Sequence, residues 1–434
     1  MPGMNSFSTG RTGWRGSWSS WFPWALLGCM AVFLFVRGWG RGPTFDFSSY
    51  LAAGKALASG APLYGEDSPG RGYFLYSPVF ALLFMPLAGL DPHSAYRVFL
   101  LGSLGAFLLS LLALAKVYGK GEERPSSRVL PAALAAVLLL YPLASNFKHG
   151  NSNVLVLFLL SASILTWSFG RPFLGGFPLA LSVGFKVTPA VYLPWLLLRG
   201  NRRGAAGFLA GMGFWFFLLP SLFLGPARTL EETRSWAEVV LIPTVLKGDR
   251  GRPKVLAGSG ESLPRIAVTL LAKGDPDLVK RKKASPIPSL GILSPGKARA
   301  LGYGAALLVL LLTIWLGRKE EEPGKGGFGI LAAAALLASP VSRAAHFVLL
   351  LPATVWLFGL ALEGERREML WARLTLGTAG GLMALSFLGA KAAGLPAKAF
   401  FPLACLGLPL WAGGLLVLAG RGGRCGKEVS APEG

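Results

Sequence analysis

Cysteine and histidine are nearly missing, with three of each in 434 residues. Cys29, Cys405 and Cys425 are too scattered, or too near the end, to read as a disulfide framework or a zinc cluster. Charge is also scarce: Asp, Glu, Lys and Arg make up 15% of the chain, against about 25% in a soluble domain. With 53% hydrophobic residues, that argues against a water-soluble enzyme and excludes disorder, which needs low hydrophobicity. The 58 Gly and 31 Pro follow no Gly-X-Y period, so a collagen-like chain is excluded. No internal repeat or low-complexity tract is visible.

Acidic residues are the scarcer charge: 21, against 43 Lys and Arg, for a net charge of +22. All 21 lie outside the apolar runs. Buried chains of Asp and Glu mark proton pumps and many transporters, so their lack counts against that class. Much of the basic excess flanks apolar runs or sits in one long loop, which favours anionic lipid over nucleic acid as a partner.

What is present is a succession of apolar runs: 21–36, 77–90, 95–117, 129–143, 154–169, 173–198, 205–224, 301–316, 328–338, 347–362, 370–390 and 400–419. A membrane span takes about 20 apolar residues. The pattern predicts an all-α polytopic membrane protein of about 12 transmembrane helices. The first run follows Arg11 and Arg15, carries Trp14, Trp18, Trp21 and Trp24 as interfacial anchors, and ends in Arg37–Arg41 rather than a small-residue cleavage site. It reads as a retained span. Run 173–198 is interrupted by Lys186 and Pro189 and is either one broken span or two re-entrant halves.

Short loops set orientation. Arg199, Arg202 and Arg203, then Arg318, Lys319 and Lys325, then Arg366, Arg367 and Arg373, then Arg421, Arg424 and Lys427 form a basic set expected in the cytoplasm. The intervening short connections carry only Arg343 (339–346) or Lys391 and Lys398 (391–398); these two and the long loop 225–299 then fall outside. The expected organisation is a cytoplasmic segment 1–20, a membrane domain 21–420 with long outer loops 37–74 and 225–299, and a cytoplasmic tail 421–434. The topology of the front half depends on whether runs 77–90 and 173–198 cross once. The expected location is the inner (plasma) membrane, multi-pass.

Polar residues in or beside spans are costly and so are candidates for function. Asp46 lies between Phe45 and Phe47, shortly after the first run. It reads either as a partly desolvated base with a raised pKa or as a cap of a helix 48–59. Tyr50, Tyr64, Tyr73 and Tyr76 suit a sugar platform and equally an interfacial anchor. His149-Gly150-Asn151-Ser152-Asn153 opens an apolar run, where Asn commonly caps a helix. Arg343 and His346, in a Pro-broken segment, could hold a phosphate. Lys186 either snorkels or meets an anion, since a centred Lys costs about 2.5–3.5 kcal/mol on insertion scales. Asp275-Pro276-Asp277 is a formal D-x-D without a nucleotide-binding pattern around it, and no metal site is expected. The Lys280–Lys283 cluster is either a solvated turn or a contact for lipid headgroups.

Together, Asp46-Phe47-x-x-Tyr50, Ala61-x-x-Tyr64 and Tyr76-Ser77-Pro78 resemble glycosyltransferase family 87, membrane-embedded mannosyl- and arabinofuranosyltransferases of the GT-C class. The resemblance continues in order through Gly150-Asn151-Ser152-Asn153, Lys186-Val187-Thr188-Pro189, Glu261-Ser262-Leu263-Pro264-Arg265 and 339–346. Two departures stand out: Asn151 where the family has Gln, and Arg343 and Ala345 where it has Trp and a first His.

The resemblance implies a GT-C-like bundle that moves a sugar, mannose foremost, from a polyprenyl-phosphate donor to a lipid or glycan acceptor at the outer face, with inversion and no cofactor. It implies Asp46 as base. Lys186, Arg343, His346 and Arg265 become candidates for the phosphate, and Tyr50, Tyr64, Tyr76, His149, Asn151 and Asn153 for substrate. The alternatives are a transporter or flippase of lipid-linked sugars, and a polymerase or ligase of lipid-linked glycans.

Overall fold

The computed structural model describes residues 15–65, 74–119, 125–243, 260–273, 289–318, 325–340, 342–394 and 402–428. Arg11, Trp14, Tyr73, Asp275, Asp277, the Lys280–Lys283 cluster, Lys319 and Lys398 lie outside these residues.

The described chain is helical, with a lone bridge between Ala272 and Leu293 as its β-type pairing. The helices are α1 (Arg15–Trp39), α2 (Phe45–Ser59), α3 (Pro78–Phe84), α4 (Pro92–Tyr118), α5 (Pro125–Leu138), α6 (Leu140–His149), α7 (Asn153–Ser168), α8 (Pro172–Phe185) and α9 (Tyr192–Leu198). They continue as α10 (Arg202–Gly213), α11 (Leu219–Leu224), α12 (Pro226–Trp236), α13 (Leu263–Leu271), α14 (Pro295–Gly317), α15 (Lys325–Ala338), α16 (Leu351–Glu363), α17 (Arg366–Ala392) and α18 (Pro402–Glu428).

Among the described residues six helical segments are long and apolar enough to cross a membrane: Trp21–Trp39, Pro92–Tyr118, Arg202–Leu224, Pro295–Gly317, Ala344–Glu363 and Pro402–Ala419; the bent pair Arg128–Leu138 and Leu140–His149 makes a seventh if it counts as one span. The chain is thus a multi-pass membrane protein. The predicted number is larger because several apolar runs fold into short or broken helices. Run 129–143 becomes α5 and α6, bent by 69°. Pro142 explains the bend: its ring excludes the Leu138 carbonyl four residues back. Run 173–198 breaks at Lys186, which is extended at φ −161° and ψ 129°. Pro189 acts there as Pro142 does, ending α8 at Phe185, and a 3-10 turn, Thr188–Val191, leads into α9.

The long polar loops are not structureless. Loop 37–74 contains α2, and loop 225–299 contains α12 and α13. One core runs from Leu27 to Leu418, built on Phe47, Tyr50, Phe80, Phe84, Phe107, Trp195, Phe328 and Phe347. Within it α8 packs between α7 and α10. Glycine permits this approach: a Cβ on Gly207 would lie 1.9 Å from the Phe173 carbonyl oxygen. The 3-10 helix Ala344–Leu350 packs on α6 and α7. That contact carries the segment around Arg343 to the junction where His149–Asn153 turns from α6 into α7.

Candidate active site

Asp46 stands in the first turn of α2, whose N-cap is Thr44. The Thr44 hydroxyl accepts from the Phe47 N–H at 3.4 Å and donates to the His149 carbonyl at 2.7 Å. One side chain therefore caps α2 and ties it to the C-terminus of α6. Asp46 is not the cap that the sequence left as an alternative, so its carboxylate is available for other partners. Its position near the positive end of a helix also favours a negative charge.

Gly150 ends α6 in the left-handed region at φ 56°. A Cβ there would come within 2.9 Å of Thr44 Oγ1 and 3.0 Å of the Tyr96 ring. The turn it makes presents Asn151, whose Nδ2 donates to Asp46 Oδ2 at 2.9 Å. Asn153 Nδ2 donates in turn to Asn151 Oδ1, and Lys186 Nζ donates to Asn153 Oδ1 at 2.8 Å. Ser152, not either Asn, takes the N-cap position of α7, and without a side-chain capping bond. The two amides face the site, and the Lys186 ammonium donates to one of them.

Burial pushes the Asp46 carboxyl above the usual carboxylate range, opposed by the Arg343 guanidinium, the Asn151 hydrogen bond and His149. Arg343 thus faces the carboxylate from the other half of the chain. His346 sits at the start of the following turn: its Nδ1 accepts the Arg343 backbone N–H at 3.3 Å. An accepting Nδ1 leaves the neutral ring with its proton on Nε2. His346 therefore shapes the Arg343 backbone.

The tyrosines form a graded wall. Tyr50 is fully buried and shares a 2.8 Å hydroxyl–hydroxyl hydrogen bond with Tyr76. The Tyr64 hydroxyl, also buried, donates to the Tyr76 carbonyl at 2.6 Å. Tyr76, half-buried, stacks on Phe80 at 4.3 Å. Tyr50 and Tyr64 thus stand behind Tyr76 and fix it. Both Ser77 Oγ (2.8 Å) and the Ser77 N–H (3.2 Å) donate to the Gly184 carbonyl, two residues before Lys186. The tyrosine wall is thereby joined to the lysine.

Arg265 belongs to a second cluster. It is buried on α13, beside Gly260 and the chain at Ser342. There the Glu261 N–H donates to the Ser342 carbonyl at 2.8 Å. Glu261 Oε2 accepts the Leu403 and Ala404 N–H groups at the start of α18, at 2.8 and 3.2 Å.

Sequence reasoning missed Thr44, Glu232 and Arg228, and named Ser77 only as part of Tyr76-Ser77-Pro78. Glu232 on α12 is buried and accepts the Leu63 N–H at 3.3 Å, while Arg228 donates to the Ala61 carbonyl at 2.8 Å. The pair, 3.8 Å apart, clips the loop that carries Tyr64. The i, i+4 spacing of Arg228 and Glu232 was the available signal; that it reached back to residues 61–63 was not readable.

The arrangement couples a desolvated carboxylate to a cation through polar side chains, next to an aromatic wall. The family model for glycosyltransferase family 87 matches residues 74–340. The chain belongs to glycosyltransferase family 87. The match begins after Asp46 and ends before Arg343, so those two flank it. Membership decides for an enzyme, a glycosyltransferase, over a transporter.

Among curated relatives, the polyprenol-phosphate-mannose-dependent alpha-(1-2)-phosphatidylinositol mannoside mannosyltransferase of Mycobacterium tuberculosis (strain ATCC 25618 / H37Rv) is 28% identical over 378 residues, covering 81% of this chain and 79% of the relative. Its namesake from Mycolicibacterium smegmatis (strain ATCC 700084 / mc(2)155) is 28% identical over 399 residues, covering 83% and 77%. The polyprenol-phosphate-mannose-dependent alpha-(1-2)-phosphatidylinositol pentamannoside mannosyltransferase of the same organism is 25% identical over 349 residues, covering 79% and 76%. No solved structure matches the chain.

Proposed function

We propose that this glycosyltransferase moves a mannosyl group from a polyprenyl-phosphate donor to a hydroxyl of a mannosylated lipid. The reaction would take place at the outer face of the inner membrane, in a GT-C-like bundle of about 12 membrane crossings, the shorter helices included. Segments 1–20 and 421–434 are then cytoplasmic, and loops 37–74 and 225–299 bring α2, α12 and α13 to the outer face. The names of the three relatives supply the donor and the acceptor class.

In this reading Asp46 takes the proton of the acceptor hydroxyl. The oxygen attacks the anomeric carbon from the side opposite the phosphate. The bond from that carbon to the phosphate oxygen breaks, its electron pair leaves with polyprenyl phosphate, and configuration inverts. A phosphate leaving group needs charge stabilisation more than protonation, so one carboxylate suffices, whereas glycoside hydrolysis usually takes two. Lys186 and Arg343 supply that charge, and His346 and Arg265 hold the segments around Arg343. Tyr76 offers its ring to the sugar, with Tyr50 and Tyr64 behind it, and His149 lies at the acceptor side.

The observation that carries the reading is the half-buried Asp46 carboxylate, linked by hydrogen bonds to Lys186 and faced by Arg343. The test is incubation of the purified protein with a panel of polyprenyl-phosphate sugars and a membrane lipid extract, followed by mass spectrometry. A hexose added to a mannosylated lipid, with polyprenyl-phosphate mannose only, is the expected outcome. Transfer from another sugar donor, or none from any, contradicts it.

A further inference from the structure

The hydrogen-bond chain from Lys186 to Asp46 has a direction that its ends dictate. An ammonium only donates and an ionised carboxylate only accepts. Asn153 must therefore turn its oxygen to Lys186 and its NH₂ to Asn151. Asn151 must turn its oxygen to Asn153 and its NH₂ to Asp46, as observed. Reversing either amide would set like groups against each other. Every donor points toward Asp46, and bonds aligned in this way polarise one another. Asn153 is buried, and water competes little for its amide.

We propose that Asn151 and Asn153 are positioning residues, a one-way amide relay through which the Lys186 ammonium holds the Asp46 carboxylate in its ionised, base-competent form. This rests on the reading of Asp46 as the base. It assigns the two amides to the protein's own charge pair rather than to the sugar. It also gives Lys186 two tasks, the relay and the donor phosphate. A phosphate drawing on the same charge would loosen its hold on Asp46, making the carboxylate more basic once donor is bound.

Other groups face Asp46 as well. Arg343 and His149 act on it through space, and Arg41 and Lys148 act on His149. Tyr50 lies one turn further along α2. From α4 come Tyr96, against Phe47, and His93, beside Gly42. The segment Pro78–Leu87 has no titratable side chain. The relay is separable from these because substitution at Asn153 leaves all of them in place.

The experiment is the acidic limb of the kcat/KM profile against pH, which reports the base in the free enzyme. Asn153→Leu should move the limb upward by about one pH unit, a tenfold loss of ionised base at a fixed acidic pH. Lys186→Met should produce the same shift, and the double variant no further one. Asn151→Gln, which keeps the oxygen and the NH₂, should hold the limb in place. A uniform rate loss with an unmoved limb in Asn153→Leu overturns the relay, as do shifts that add in the double variant. Should Asn153→Leu not fold, Asn153→Ala neither accepts from Lys186 nor donates to Asn151 and adds no charge, and the same upward shift is expected. If Asp46→Asn retains turnover, the base reading fails on its own. The relay is then read from melting temperatures: Asp46→Asn and Lys186→Met should be coupled with Asn153 present and additive in its Leu variant. Additivity in both backgrounds refutes the relay.

Discussion

Asp46 sits where water only partly reaches, and the consequence can be worked out for stability as well as for rate. Burial raises its carboxyl, with Arg343, Asn151 and His149 opposing. Between the ordinary carboxylate value and this raised one, the native state holds more protons than the unfolded chain. Stability is therefore fullest at acid pH below the ordinary value and declines as pH rises through the raised one. Asp46→Asn removes that decline. The variant should melt at a higher temperature than the parent at pH 7, with the gap closing toward acid pH, while transfer falls by about 10²–10⁴-fold, the usual weight of a general base. Thermal unfolding at several pH values checks the first part; a variant that melts lower at neutral pH would mean the charge is compensated. Glu232 makes the opposite case. It holds the Leu63 N–H, and Glu232→Ala would leave that buried group unsatisfied at a cost of about 1–3 kcal/mol. Since the clip acts on the Tyr64 loop and not on Asp46, KM should rise more than kcat falls, measurable by steady-state kinetics.

At the level of elements, two proline breaks and one glycine turn make the site. Pro142 and Pro189 stop apolar runs short, and Gly150 turns α6 into α7 so that Asn151 reaches Asp46. Gly150→Ala should destabilise the protein by about 1–3 kcal/mol, because a left-handed backbone and contacts with Thr44 and Tyr96 both resist the added methyl. Melting temperature reads the stability and turnover the site. The length of apolar runs made the long spans legible: runs 95–117 and 301–316 became Pro92–Tyr118 and Pro295–Gly317. It misled where proline cut a run, since composition gives apolarity but not continuity. Lys186 and Pro189 did flag the break between α8 and α9. At the site, residue types and order were legible, but partners were not. Asn151 and Asn153 read as caps because local spacing carries no trace of Asp46, over 100 residues earlier. Thr44 is silent in sequence for the same reason.

For the whole molecule, the bundle brings residues from the first loop and from the segment before α16 to one point, around a family match that covers neither. Among the described residues no three His, Cys, Asp or Glu side chains converge as a metal site would require. From the sequence, turnover is expected to survive dialysis against EDTA; loss on chelation, restored by Mg²⁺ or Mn²⁺, would place a metal in the reaction. The proposed role of Asp46 is to activate the acceptor against a polyprenyl-phosphate sugar. The most direct measurement is transfer from polyprenyl-phosphate mannose of defined anomeric configuration to a phosphatidylinositol mannoside. It would be run with the parent protein and with Asp46→Asn, and the product linkage read by NMR. A product of inverted configuration is expected from the parent and none above background from the folded variant. Retained configuration, or comparable turnover by Asp46→Asn, would contradict that role.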